Sequence, residues 1–193
     1  MKDGFSRFGG LGAILVGVLS ILYAIFFLVI AKRAEFVGTF GSWVILAASG
    51  IFSSAAYVAL YGRVRSASEA AALWALLLGV ASSFASLMHG GYEALLVGQG
   101  TGQLPSEVDP RGLASFFVVG LVAFVFGWLI TRGNALPKAL GYLGMFNALL
   151  LLVLYFATVA GAQTLILISG GLTSILVGPI WWIWLGLRLM RES

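Results

Sequence analysis

The sequence predicts an all-α fold: a polytopic transmembrane helix bundle of six spans with both termini in the cytoplasm. Three observations carry the prediction. Of the 193 residues, 61% are hydrophobic and only 9% are charged, with a mean hydropathy of +1.05. A soluble domain carries roughly 25% charged residues because its surface faces water, so the natural solvent of this chain is lipid. The apolar residues fall in long blocks, at about 9–31, 37–61, 70–97, 113–131, 139–160 and 164–188, each sufficient for the roughly 20 residues of a helical span. Runs such as Leu149-Leu150-Leu151-Leu152-Val153-Leu154 do not alternate, as the roughly ten-residue strands of a membrane barrel do.

The first block follows Lys2 and Arg7 and runs from Leu11 to Ala31. A secretory h-region is about 7–15 residues and ends in small residues; this run is longer and ends at Lys32–Arg33, so it reads as a retained first span. The second block lies between Glu35 and Arg63, and the third between Glu69 and an outer loop, 98–112, that holds two of the four prolines and a turn signal at Asp109–Pro110. The fourth ends at Arg132 and the fifth follows Pro137–Lys138. Only Ala160-Gly161-Ala162-Gln163 separates the fifth from the sixth. A tight hairpin is expected there, because one continuous helix through both blocks would exceed any bilayer. In the sixth block Pro179 lacks an N–H and predicts a kink. Trp181, Trp182, Trp184 and Arg188 follow, an aromatic and basic end expected at the inner headgroup level. Tyr142 and Tyr155 are expected at the interfaces. Residues 1–193 form a single transmembrane domain.

Lys and Arg counts set the orientation. With the N-terminus inside, the cytoplasmic segments hold eight (Lys2, Arg7, Arg63, Arg65, Arg132, Lys138, Arg188, Arg191) and the outer ones three (Lys32, Arg33, Arg111). These cations stand singly or in pairs, with no run of four, so the formal charge of +4 is a topology signal and nucleic acid is not an expected partner. The partner is the lipid bilayer, with protein subunits or further copies of this chain as candidates. Cysteine is absent, which removes disulfides, thiolate catalysis, Cys-ligated metals and palmitoylation.

Helices in lipid gain nothing from apolar burial against one another and associate through small residues. Gly10, Ala13, Gly17, Ser20 and Ala24 fall on one face of the first span; Ala47, Gly50, Ser54 and Tyr57 line the second; Gly120, Ala123, Gly127 and Thr131 the fourth; Gly170, Ser174 and Gly178 the sixth. These are expected packing seams.

One polar stripe stands apart from them. Ser82, Ser86, His89 and Glu93 recur at steps of four, three and four in the third span, within about 60° of arc on a helix. The single histidine and the one acidic residue inside an apolar block thus share a face, and an ionisable pair in a span is a candidate site for proton relay, cation binding or ligand orientation. Counted from Ala70, Glu93 lies at or beyond the outer boundary, where the pair would be wet, and Gly90–Gly91 would loosen the helix between them. Asn147 in the fifth span is expected to hydrogen-bond across helices, or to complete a ligand site with His89.

No nucleophile turn of the GxSG type, no HExxH and no His-rich cluster occurs. No catalytic residue, metal site or cofactor is therefore expected, and an intramembrane enzyme ranks last.

Two stretches carry a resemblance. Asn134-Ala135-Leu136-Pro137-Lys138-Ala139-Leu140-Gly141-Tyr142-Leu143-Gly144 opens a span, and Gly178-Pro179-Ile180-Trp181-Trp182-Ile183-Trp184-Leu185-Gly186-Leu187-Arg188 closes one. The pattern resembles bacterial multi-pass membrane proteins of unknown function in which both motifs recur. The resemblance implies a bacterial plasma (inner) membrane protein of about six spans and brings no catalytic residues. Small loops and few polar groups in the spans favour a non-enzymatic accessory or partner-binding subunit; a small transporter or channel using the His89–Glu93 face is the alternative.

Overall fold

The structure, a computed structural model, describes residues 4–102 and 110–191, with side chains of the second stretch described from 116. Every described element is helical. We number them α1 (Gly4–Ile30), α2 (Glu35–Val64), α3 (Glu69–Gly98), α4 (Pro110–Arg132), α5 (Lys138–Val159) and α6 (Gln163–Arg191). Five are long and apolar enough to cross a membrane, and α4 is apolar over Phe116–Arg132. The helices overrun the predicted spans because backbone hydrogen bonding does not stop where charges begin. Glu35 and Glu69 sit in the first turns of α2 and α3, where a carboxylate favours the helix dipole. The predicted turn at Asp109–Pro110, most of the outer loop and the Arg111 side chain lie outside the described residues.

The expected hairpin between the fifth and sixth spans is present. Gly161 takes φ 67°, a left-handed conformation that glycine adopts without penalty. Ala162 N–H returns to Ala157 O at 2.8 Å, which ends α5 in a Schellman motif.

The six helices form a closed ring. Each packs on the next in sequence, and the C-terminal half of α6 packs on α1. A Cβ built at Gly10 would lie 2.9 Å from Gly186 O, and one at Gly17 would lie 3.0 Å from Pro179 O. The α1 and α6 axes therefore run antiparallel, and Gly4 and Arg191 lie at the same end of the bundle. Being in a ring gives α1 a second seam that its predicted face did not include: Gly12 approaches Phe52 O (2.8 Å from a built Cβ), and Gly9 abuts Ala55 and Ala59 of α2. Between α4 and α5, Gly127 and Gly141 meet backbone to backbone.

Outward faces are apolar, with Met88 70%, Leu77 62% and Phe84 57% exposed. A surface of this kind belongs against acyl chains.

The half of the ring nearest the termini is filled. Tyr57 stacks on Phe126 (5.8 Å, 9°) and tilts against Trp182 (5.4 Å), which meets Trp181 at 4.7 Å. Leu60, Leu129, Ile130, Leu140, Leu185 and Leu189 close around them. Trp181 and Trp182 thus turn into the ring. Trp181 is 1% exposed and donates its indole N–H to Leu140 O at 3.2 Å. The indole finds its polar partner on a neighbouring helix instead of at the membrane surface. Trp184 is half-buried. Tyr142 is exposed as expected, while Tyr155 is half-buried against Phe117.

Candidate functional site

On the far side of this aromatic plug the ring is hollow. A cavity of about 250 Å³ lies at the middle of the bundle and takes lining residues from all six helices. Its position follows from the sequence. Small and hydroxyl residues stand near the midpoints of α1, α2, α3 and α6, so the helices come close at their flanking glycines and leave space between short side chains.

Helix α3 contributes Ser82, Ser83, Ser86 and His89. Ser82 and Ser83 are buried and both donate to Gly79 O, at 2.9 and 2.8 Å; Ser86 donates to Ser82 O at 3.1 Å. Across from them α2 supplies Ser49 and Ser53, and Ser53 Oγ meets Ser83 Oγ at 2.7 Å, a hydroxyl bridge between the two helices. Ser20 and Tyr23 come from α1, Phe116 from α4, and Asn147 from α5. Tyr57 and Trp182, the top of the plug, form the floor. At the other end His89 meets Trp43 edge-on, ring centroids 4.9 Å apart.

The wall from α6 is irregular. Between Leu172 and Val177 the helix widens into a π turn, in which Gly178 N–H reaches back to Thr173 O. Pro179 follows with no N–H, so the kink expected at proline is realised as one inserted residue one turn earlier. Such π turns cluster at functional sites. Here the turn directs Thr173 and Ser174 into the cavity. Thr173 Oγ1 and Asn147 Oδ1 are buried and have no hydrogen-bond partner. The Asn147 side-chain carbonyl thus makes no hydrogen bond across helices, although the residue is only 4% exposed.

Of the five residues singled out from the sequence, Ser82, Ser86, His89 and Asn147 line this one cavity. Glu93 does not line it; it follows one turn beyond His89 and is 4% exposed. This corrects its placement in water at the outer boundary. The bundle continues past a span counted from Ala70, and Trp43, Ala94 and Val97 pack together at that level. Gly90 does not loosen α3 either. The helix is unbroken, and a Cβ at Gly90 would lie 2.7 Å from Trp43 O, so the residue is a contact with α2. Ser49, Ser53 and Thr173 were not singled out. Serine pairs four apart on neighbouring helices, Ser49/Ser53 and Ser82/Ser86, were the available signal.

Among the described residues no three His, Asp or Glu side chains converge. The donor set of the cavity is hydroxyl, amide and imidazole. The chain matches no known family model, no characterised protein and no solved structure.

Proposed function

We propose that this multi-pass membrane protein binds a small polar solute in the midplane cavity and passes it across the bilayer, as a small transporter or channel. The observation that carries the reading is the convergence of polar side chains from five of six helices on one space at the middle of the bundle, with Phe116 and Val119 lining it from α4. Secondary transporters hold substrate at that depth, beside helices whose regular winding is interrupted, as α6 is at its π turn. The volume of about 250 Å³ corresponds to about eight waters of liquid and falls just below the roughly 300–1,000 Å³ of sites for drug-sized ligands. The solute is therefore small.

The accessory-subunit reading rested on polar groups that look sparse when counted helix by helix. Gathered in one cavity, they favour a solute. The exposed Leu and Phe faces suit lipid and a partner subunit alike, so they favour neither reading. In keeping with the resemblance in its last third, the protein belongs in a bacterial plasma membrane with both termini in the cytoplasm, the side that the Lys and Arg excess marks.

The test is flux into proteoliposomes of a panel comprising glycerol, urea, acetate and methylammonium. At least one should cross faster than in protein-free vesicles. Ser86→Leu, which fills the cavity and removes only a bond within α3, should abolish that flux while the protein stays monodisperse. Rates equal to protein-free vesicles for the whole panel would sink the proposal.

A further inference from the structure

The direction of the hydrogen bonds in the cavity wall selects among small solutes. Six serines line the cavity on α1, α2 and α3. Each hydroxyl has one proton and two acceptor lone pairs. Ser20 donates to Val16 O (2.9 Å), Ser49 to Ile45 O (2.8 Å), Ser82 to Gly79 O (2.9 Å) and Ser86 to Ser82 O (3.1 Å). The remaining two, Ser53 and Ser83, place their protons on Gly50 O, Gly79 O or each other. No proton of the six is directed at the cavity; what faces it is lone pairs. Asn147 Oδ1 adds an acceptor with no partner of its own, and the Thr173 hydroxyl, likewise without one, adds both lone pairs and a proton. A buried acceptor left unmatched is costly, and Asn147 Oδ1 reaches the π turn, 3.7 Å from a Cβ built on Gly178.

The charges and rings agree. No Lys or Arg lines the cavity, and His89 is the one basic side chain in its wall. An anion would face oxygen lone pairs with no cation to hold it. A polyol carries as many acceptors as donors, whereas the six serines offer it acceptors alone. Tyr23, Trp43, Tyr57, Phe116 and Trp182 supply aromatic rings, whose faces attract cations.

Resting on the solute-binding reading above, we infer that the cavity is built for a small ammonium-type cation, such as a protonated primary amine or ammonium itself, whose N–H groups donate to the serine, Asn147 and Thr173 oxygens.

Trp43 and Trp182 in the wall supply the readout. The full chain in detergent is titrated with methylammonium chloride, sodium chloride, sodium acetate and glycerol, following tryptophan fluorescence. Saturable change with methylammonium alone is expected. Asn147→Leu should weaken it about tenfold, the loss expected of one hydrogen bond to a charged group, and Ser86→Leu, which breaks no bond between helices, should remove it. Saturation by glycerol or acetate with none by methylammonium would overturn the ammonium assignment and leave the solute cavity standing. Silence of all titrants, together with unchanged flux in Ser86→Leu, would overturn both.

Discussion

Adding one methyl group at Gly141 tests the ring directly. A Cβ there would lie 2.6 Å from Gly127 O, 2.8 Å from Thr131 Cγ2 and 3.1 Å from Ile130 Cβ. Carbon contacts are comfortable at about 3.5–4.0 Å, so α4 and α5 must part by about 1 Å. None of the three obstacles is the end of a flexible side chain. Rotation offers no relief, because a Cβ on Gly127 would itself meet Gly141 O at 2.7 Å. Overpacking of this kind costs about 1–3 kcal/mol. The better helix propensity of alanine returns up to about 1 kcal/mol; with two contacts under 3.0 Å placing the overpacking at the upper end of its range, Gly141→Ala is left about 2 kcal/mol less stable than the parent. Gly91 supplies the control: it is helical, exposed and has nothing within 4 Å of a built Cβ, so Gly91→Ala should gain roughly 0.5–1 kcal/mol. Unfolding in mixed detergent micelles, followed by tryptophan fluorescence, measures both. A Gly141→Ala protein as stable as the parent would show that α4 and α5 do not meet at this seam.

The Ser53–Ser83 bridge at 2.7 Å should give a coupling of about 0.6 kcal/mol, and up to about 1.7 kcal/mol, in a double-mutant cycle of the two Ser→Ala changes; zero coupling would remove the bridge. For orientation, a reporter fused after Ser193 that is active only in the cytoplasm should be active, and one inserted at the Gly161 turn should be silent. The opposite pattern would invert the bundle.

The helices were legible because the bilayer imposes one rule on every span, and hydropathy reads that rule directly. The predicted hairpin at Gly161 has the same origin, since two spans with so short a join have no other path. The interior was harder to read. In water an apolar residue marks the inside, but in lipid it marks either side, so hydropathy could not say that Trp181 and Trp182 turn inward while Met88 turns out. An indole suits a headgroup and a helix carbonyl equally well, and only the position of Leu140 O decides. Glu93 was misplaced for a related reason. Its depth was counted along one helix, whereas its burial depends on neighbours such as Trp43 that extend to the same height. Ser82, Ser86, His89 and Asn147 were recognisable as polar residues in apolar surroundings. That they share one cavity with Ser53 and Thr173 depends on ring closure, which no local pattern encodes.

Closure of the ring by its last member has a consequence for biosynthesis. Helices leave the ribosome in order, and α1 is made before α6, with the face of Gly10, Ala13 and Gly17 turned toward a partner, the Gly178–Arg191 half of α6, that does not yet exist. Until then the nascent bundle is an open trough, its hydroxyl-lined hollow uncovered on one side. Helix α1 thus waits on α6, and a membrane chaperone able to shield that glycine face would find its substrate in the interval.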